Sequence, residues 1–493
     1  MEFCSTRDQN LTVSAAHAIL NGLAPDGGLF VPKTLPSFSL AEIAELSALD
    51  YRGCALKILP KFLPGYSEEE LSSYIEKAYG DNFETADPAP IKGLGDGIFS
   101  LELFHGPTCA FKDFALQLLP YLLTSAAEKC GCDKEIAILT ATSGDTGKAA
   151  LSGFSDVKGT RICVFYPDGG ISEIQRLQMS TQKGNNVNVL AVKGNFDDTQ
   201  NGVKAIFTDP SVIQELDKRK IILSSANSIN WGRLAPQIVY YFYAYAKMVS
   251  GNAVKPGAPV NFCVPTGNFG NILAGYFAKK SGLPVDKLLC ASNQNNILTD
   301  FINTGVYDKN RAFYLTNSPS MDILISSNLE RLLFLLGGDE KVRQFMRSLS
   351  ETGRYEIGDE LLSTLHKEGF CAYFCDENAT DKCIADTWAN KAYLCDTHTA
   401  VGFDVLRQYQ TATGDRTTTA VLSTASPFKF ASSILHALGQ PVPKDGFNAI
   451  DALDEFSKIP APKQLKNIRN LPVRFDQIIT RSAMKQSVLD WLK

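Results

Sequence analysis

A lysine in apolar company is a latent nucleophile, and the run Phe104-His105-Gly106-Pro107-Thr108-Cys109-Ala110-Phe111-Lys112-Asp113-Phe114-Ala115 contains one. Phe111, Phe114 and Leu116 would strip water from the Lys112 ammonium, which disfavours the charged form and lowers its pKa. A neutral amine can attack an aldehyde and form a Schiff base, whereas an ammonium cannot. A solvated lysine at a helix start is the plainer reading of the same residues. Schiff-base chemistry needs partners, and three further polar segments could supply them.

The first is Thr140-Ala141-Thr142-Ser143-Gly144-Asp145-Thr146-Gly147, which follows a strand-like run and opens a helix-like one. Glycines let the backbone turn sharply, and the free amides at a helix start bind anions. Thr142, Ser143 and Thr146 add hydroxyl donors, although Ser, Asp and Thr also serve as ordinary helix caps. The second is Pro265-Thr266-Gly267-Asn268-Phe269-Gly270-Asn271. It lacks the Lys-Ser/Thr of a nucleotide P-loop and the spacing of a dinucleotide fingerprint. A compact glycine-rich turn of this kind suits one phosphomonoester, the anionic handle of pyridoxal phosphate. The third, Val421-Leu422-Ser423-Thr424-Ala425-Ser426-Pro427-Phe428-Lys429, reads as a strand whose carboxyl end carries hydroxyls, where α/β sheets place ligands. Ser423 or Thr424 could bond a pyridine nitrogen, and Lys429 could meet a substrate anion or simply lie in solvent.

The elements that must position these groups are legible as periodicity. From about residue 96, β-branched runs (Glu135 to Leu139, Arg161 to Phe165, Val187 to Val192, Val260 to Val264) alternate with helical stretches (Thr146 to Leu151, Glu173 to Met179, Asp198 to Phe207, Asn271 to Lys280). Short apolar strands separated by helices indicate parallel βαβ units covered on both faces, so the class is α/β. Residues 1 to about 95 read as mainly helical, with apolar spacing in Leu40 to Leu46 and Glu68 to Ile75.

Composition bounds the function. At 493 residues the chain exceeds one hydrophobic core, and 44% hydrophobic with 20% charged residues is ordinary for a globular protein. A net charge of -5 without a basic run argues against nucleic-acid partners, and the apolar runs are too short and too broken by charge to span a bilayer. Twelve scattered cysteines, several in strand-like runs, with no Cys-x-x-Cys and no clustered histidines, point to free thiols in a reducing cytoplasm and not to zinc. The first eight residues lack the pattern of a signal peptide.

Taken in order, six segments resemble the threonine synthases, a family of fold-type II pyridoxal-phosphate enzymes. They are Leu23 to Pro32, His105 to Asp113, Ser143 to Gly147, Gly267 to Asn271, Ser318-Pro319-Ser320-Met321-Asp322-Ile323 and Thr397-His398-Thr399-Ala400-Val401-Gly402. The likeness spans nearly the whole chain. Cys109 and Ser426 depart from it, where many members carry Leu and His.

The resemblance implies two open, largely parallel α/β domains and a mainly helical N-terminal region. The expected division is 1–95, then 96–130 with 251–493 as the cofactor-binding domain, and 131–250 as a smaller one. It implies Lys112 as the Schiff-base lysine, with Gly267, Asn268, Phe269, Gly270 and Asn271 on the cofactor phosphate and Thr424 at the pyridine nitrogen. Ser143, Asp145, Thr146, Asn227, Ser228, Asn230, Arg233 and Lys429 are candidate substrate contacts. Among them Arg233 suits a bidentate phosphate contact, against a surface ion pair as the plainer role. The implied reaction converts O-phospho-L-homoserine and water to L-threonine and phosphate, in a monomer or homodimer. A phospholyase releasing a keto acid, another fold-type II enzyme such as a dehydratase, and a non-catalytic ligand-binding descendant are the alternatives.

Overall fold

The computed structural model describes residues 1–142, 144–169 and 171–493, with the side chains of all of these except Phe196 and Asp197. Two sheets dominate. The larger has six strands in the order Phe370–Phe374, Val285–Ser292, Val260–Pro265, Thr419–Ser423, Ile98–Glu102 and Ile91–Gly93. All neighbours are parallel except the last pair. The smaller has five parallel strands in the order Ile478–Thr480, Val187–Lys193, Thr160–Pro167, Glu135–Ala141 and Ile221–Ser224. The predicted β-branched runs form these strands, and the inner ones are buried along nearly their whole length, as expected of sheets covered on both faces. The fold is α/β.

Two features of the chain path differ from the sequence reading. Ile478–Thr480, expected with the larger sheet, leaves it and closes one edge of the smaller. The N-terminal region does carry the helices Leu40–Glu45 and Glu68–Ala78, each started by a capping box, Ser39 with Glu42 and Ser67 with Glu70. It also holds a three-stranded antiparallel sheet (Phe3–Ser5, Thr12–Val13, Phe30–Pro32) and donates Ile91–Gly93 to the larger sheet. Its short strands lack the length that periodicity needs to be read.

The helix Trp231–Ser250 runs through the core, buried at every position from Trp231 to Ala246. Its tyrosines are spent on the interior: the Tyr240 and Tyr241 hydroxyls both reach the Asn271 side-chain oxygen, at 2.6 and 2.9 Å. A helix buried along this length, apolar and aromatic over that stretch apart from Arg233 and Gln237, fixes the loops at its ends. No helix among the described residues is long and apolar enough to cross a membrane.

Candidate active site

Lys112 sits at the start of the short helix Asp113–Leu116, on a turn pinned from both sides. Phe111 N–H donates to the Thr424 carbonyl (2.8 Å) and Ser426 N–H to the Cys109 carbonyl (3.0 Å), so 109–111 pairs antiparallel with 424–426. Inside the turn, the buried Asp113 carboxylate accepts from Thr108 N–H at 2.9 Å and from its hydroxyl at 2.7 Å. Burial pushes Asp113 up to about 6 despite those bonds. The strand end Thr419–Ser423 thus places Lys112 through hydrogen bonds that no local pattern encodes.

The amine of Lys112 is desolvated, as the apolar run predicts. Burial lowers it to about 8 against the opposing pull of Asp145, with Lys429 and Arg233 adding to the depression. Its Nζ lies 3.9 Å from Asp145 Oδ2 and 3.4 Å from Ser320 Oγ, over the Phe111 ring at 4.9 Å.

The second glycine loop joins a buried strand to a helix. It follows the strand Val260–Pro265 and opens the helix Gly270–Lys280, whose start has no side-chain cap. Phe269 takes a left-handed conformation (φ 62°) that turns the chain into the helix. Gly267 packs so close to residue 320 that a Cβ there would lie 2.8 Å from the Ser320 carbonyl oxygen. Asn271 keeps its Oδ1 on the two tyrosines, while its buried Nδ2 has no hydrogen-bond partner among the described residues. Asn268 is exposed, and its carbonyl accepts from Asn328 N–H and Nδ2, each at 3.1 Å. Because Ser320 touches Gly267 with its carbonyl and Lys112 with its hydroxyl, loop and lysine lie on two sides of one residue. Thr424 is buried beside the same turn with its carbonyl on Phe111, and among the described residues its hydroxyl makes no hydrogen bond. Ser320 thus links the Gly267 loop to Lys112, and Thr424 is joined to the neighbouring residue Phe111.

The first glycine loop divides into parts with different fates. Thr142, read as a donor to ligand, turns inward and accepts from Gly144 N–H and Gly147 N–H at 3.0 Å each. Ser143 lies outside the described residues. Thr146 is half-buried and makes no side-chain hydrogen bond with described residues. Asp145 is held by Lys429 Nζ (2.7 Å) and Gln175 Nε2 (3.0 Å). Burial alone would raise Asp145, but the ammonium groups of Lys429 and Lys112 outweigh it and hold the carboxyl well below the usual carboxylate range. Lys429 is neither solvated nor free for an anionic substrate. Its fully buried ammonium joins Asp145 to the Thr108 carbonyl (2.9 Å). Asp145 and Lys429 satisfy each other, so their place is beside the lysine and not on a substrate anion.

The segment 225–233 also splits. Asn230 caps the helix Trp231–Ser250 through Gly232 N–H (2.8 Å) and donates to the Ile19 carbonyl (2.9 Å), which spends its amide on structure. Ser228 faces the loop 267–271, with Asn328 Nδ2 3.3 Å from its hydroxyl and its Cβ 3.8 Å from where a Gly270 Cβ would stand. Asn227 is half-buried and has no side-chain partner among the described residues. Arg233 is not a surface ion pair. It is buried, its Nη1 donates to the Ala226 carbonyl, and its Nε has no partner among the described residues. Burial lowers it to about 10, and among the described residues no carboxylate offsets that cost.

Three groups were not singled out for chemistry in the sequence. Ser320 sits between lysine and loop, with His398 and Asp396 in line behind it. The motifs containing Ser320 and His398 were visible, but Pro-Ser-Met reads as a turn and Thr-His-Thr as a helix start until folded together.

Residues 2–79 match the model for the threonine synthase N terminus, and residues 399–488 the threonine synthase C-terminal model. The chain is 40% identical over 457 residues to threonine synthase-like 1 of Homo sapiens, covering 88% of this chain and 60% of that one, so it spans less than two thirds of that relative's length. It is 40% identical to the threonine synthase of Pseudomonas aeruginosa, covering 89% and 91% of the two chains. A crystal structure of PLP-bound threonine synthase from Brucella melitensis superposes with a TM-score of 0.88 at 35% identity, covering all of both chains. By these matches the chain belongs to the threonine synthase family.

Proposed function

We propose that the protein is a pyridoxal-phosphate-dependent threonine synthase, converting O-phospho-L-homoserine and water to L-threonine and phosphate. The observation that carries this reading is the buried, uncompensated Arg233 near Lys112, in addition to the uncapped loop at 267–271. One phosphate-bearing cofactor needs one anion site; a second suits a substrate that is itself a phosphate ester.

When bound, pyridoxal phosphate supplies the aldehyde for Lys112 and an electron sink for a carbanion at the substrate α carbon. Gly267, Asn268, Phe269, Gly270 and Asn271 would hold its phosphate and Thr424 its ring nitrogen. A hydroxyl is a weak acid and leaves that nitrogen largely unprotonated, which moderates delocalisation and suits chemistry at the β and γ carbons. Lys112, poised near pH 8, takes the α proton once its amine is free. Loss of a β proton lets the γ phosphate leave; the γ carbon gains a proton and water adds at the β carbon. Arg233, with Ser143, Thr146, Asn227 and Ser228, would grip the anionic groups and orient the departing phosphate. Asp145 and Lys429 stay paired and keep the lysine's surroundings charged but balanced.

Free thiols support a reducing, cytoplasmic setting. The two sheets support cofactor-binding and smaller units close to 96–130 with 251–493 and 131–250, flanked by 1–95, with the strand at 478–480 assigned to the smaller. Product identification from O-phospho-L-homoserine tests the function: threonine and phosphate should appear in equal amounts. Phosphate with 2-oxobutyrate and no threonine would overturn it in favour of the phospholyase.

A further inference from the structure

Ser320 lies between Lys112 and Gly267, and its surroundings specify its orientation. Its N–H donates to His398 Nε2 at 3.2 Å. A backbone amide can only donate, so Nε2 carries no proton there, and the ring proton resides on Nδ1, 2.8 Å from Asp396 Oδ1. Asp396 is itself fixed: it caps the helix Thr397–Thr413, accepting from His398 N–H at 2.9 Å and from the Thr399 amide and hydroxyl. The His398 ring packs on Phe430 at 5.0 Å, and His398, Asp396, Thr399 and Phe430 are buried while Ser320 is half-buried. At the other end, Ser320 Oγ lies 3.4 Å from Lys112 Nζ and 3.5 Å from Asp145 Oδ2, and its carbonyl abuts Gly267.

We infer that Asp396, His398 and Ser320 form a positioning chain for the Schiff-base lysine, in which the helix cap fixes the histidine, the histidine fixes the serine backbone, and the serine sets the lysine's distance from the phosphate loop. This rests on the reading of Lys112 as the cofactor's lysine, and not on which product is released. The serine hydroxyl can accept from the amine and donate to Asp145 at once. At 3.4 and 3.5 Å both contacts are loose, so the hydroxyl orients the amine without trapping its proton. Asp145, strongly ionised, does not take that proton. Ser320 and His398 are therefore positioning residues: the serine acts on the lysine, and the histidine acts through the serine.

The test uses the holoenzyme and reads the pH midpoint of the visible Schiff-base band together with kcat and KM. Ser320→Ala keeps the backbone bond to His398 and removes only the hydroxyl. It should shift the midpoint by about half a unit and lower kcat roughly 10- to 100-fold, the scale of an ångström-level misplacement, with little change in KM. His398→Ala should reproduce the shift, and His398→Gln, whose amide oxygen can accept from Ser320 N–H, should recover at least half of it. If His398→Ala does not fold, Asp396→Asn takes its place, because asparagine still caps the helix. A wild-type midpoint and kcat in Ser320→Ala overturns the inference, as does His398→Gln behaving no better than His398→Ala. A wild-type protein that forms no such band contradicts the cofactor reading instead, which separates the two failures.

Discussion

Lys112 is a buried amine whose desolvation outweighs the nearby carboxylate, and this has a stability consequence in the apoprotein. Its pKa is about 8 folded and 10.5 ordinarily. Between those values the unfolded chain binds the extra proton, so the lysine makes stability rise with pH over that window. Below about pH 8 the buried ammonium costs on the order of 1–3 kcal/mol. Lys112→Met should therefore melt higher than wild-type apoprotein at pH 7, with the difference shrinking toward pH 10; Lys429 remains to hold Asp145. A difference independent of pH would contradict the assignment. In the holoprotein the same substitution should abolish the borohydride-sensitive visible band. Arg233→Lys keeps the charge but loses the planar fork. We expect kcat/KM on O-phospho-L-homoserine to fall about 10- to 100-fold, mainly through KM, as when a charged hydrogen bond is lost. An unchanged KM would place the substrate anion elsewhere.

At the scale of elements, the site depends on how closely helices approach. The helix Asp145–Phe154 lies against the short helix that follows Lys112, and a Cβ at Gly153 would stand 1.9 Å from the Leu116 carbonyl oxygen. Backbone cannot yield there, so Gly153→Ala must push the two helices apart. The expected loss is about 1–3 kcal/mol, with reduced cofactor affinity, read by thermal melts and cofactor titration; a wild-type melt would mean that the helices slide freely. This contact also marks the boundary of what the sequence discloses. Strands such as Glu135–Ala141 and Val260–Pro265 were legible because burial on both faces leaves continuous apolar runs, and the loops after them because glycine and hydroxyl residues cluster at helix starts. Which donors remain available was not legible. Thr142 and Asn230 look like Thr146 and Asn227 in sequence, and only folding shows that the first pair is consumed by backbone amides and carbonyls. The Asp145–Lys429 pair and the Ser320–His398 bond join residues far apart in the chain, beyond the reach of any local pattern.

Across the whole molecule, the smaller sheet is completed from a distance. Ile478–Thr480 pairs with Val187–Lys193, and the helix Met484–Trp491 buries Met484 and Val488 against the core containing Val203, Ile206 and Leu216. Removing residues 476–493 would uncover that apolar surface and leave Val187–Lys193 as an open edge. The truncated protein should expose dye-binding hydrophobic surface and aggregate at temperatures the full chain withstands. If it stays monodisperse and melts like the full chain, the C-terminal strand does not close the sheet.

The same crossing constrains how the chain is made. The strand that seals the smaller sheet follows the one it pairs with by about 285 residues. At ordinary translation rates that gap lasts on the order of 15 to 60 s. During this interval the nascent smaller sheet has one edge unsealed. Chaperone dependence should therefore be concentrated in the last stretch of synthesis, and rare codons between positions 194 and 477 should lower soluble yield more than the same codons placed after 480.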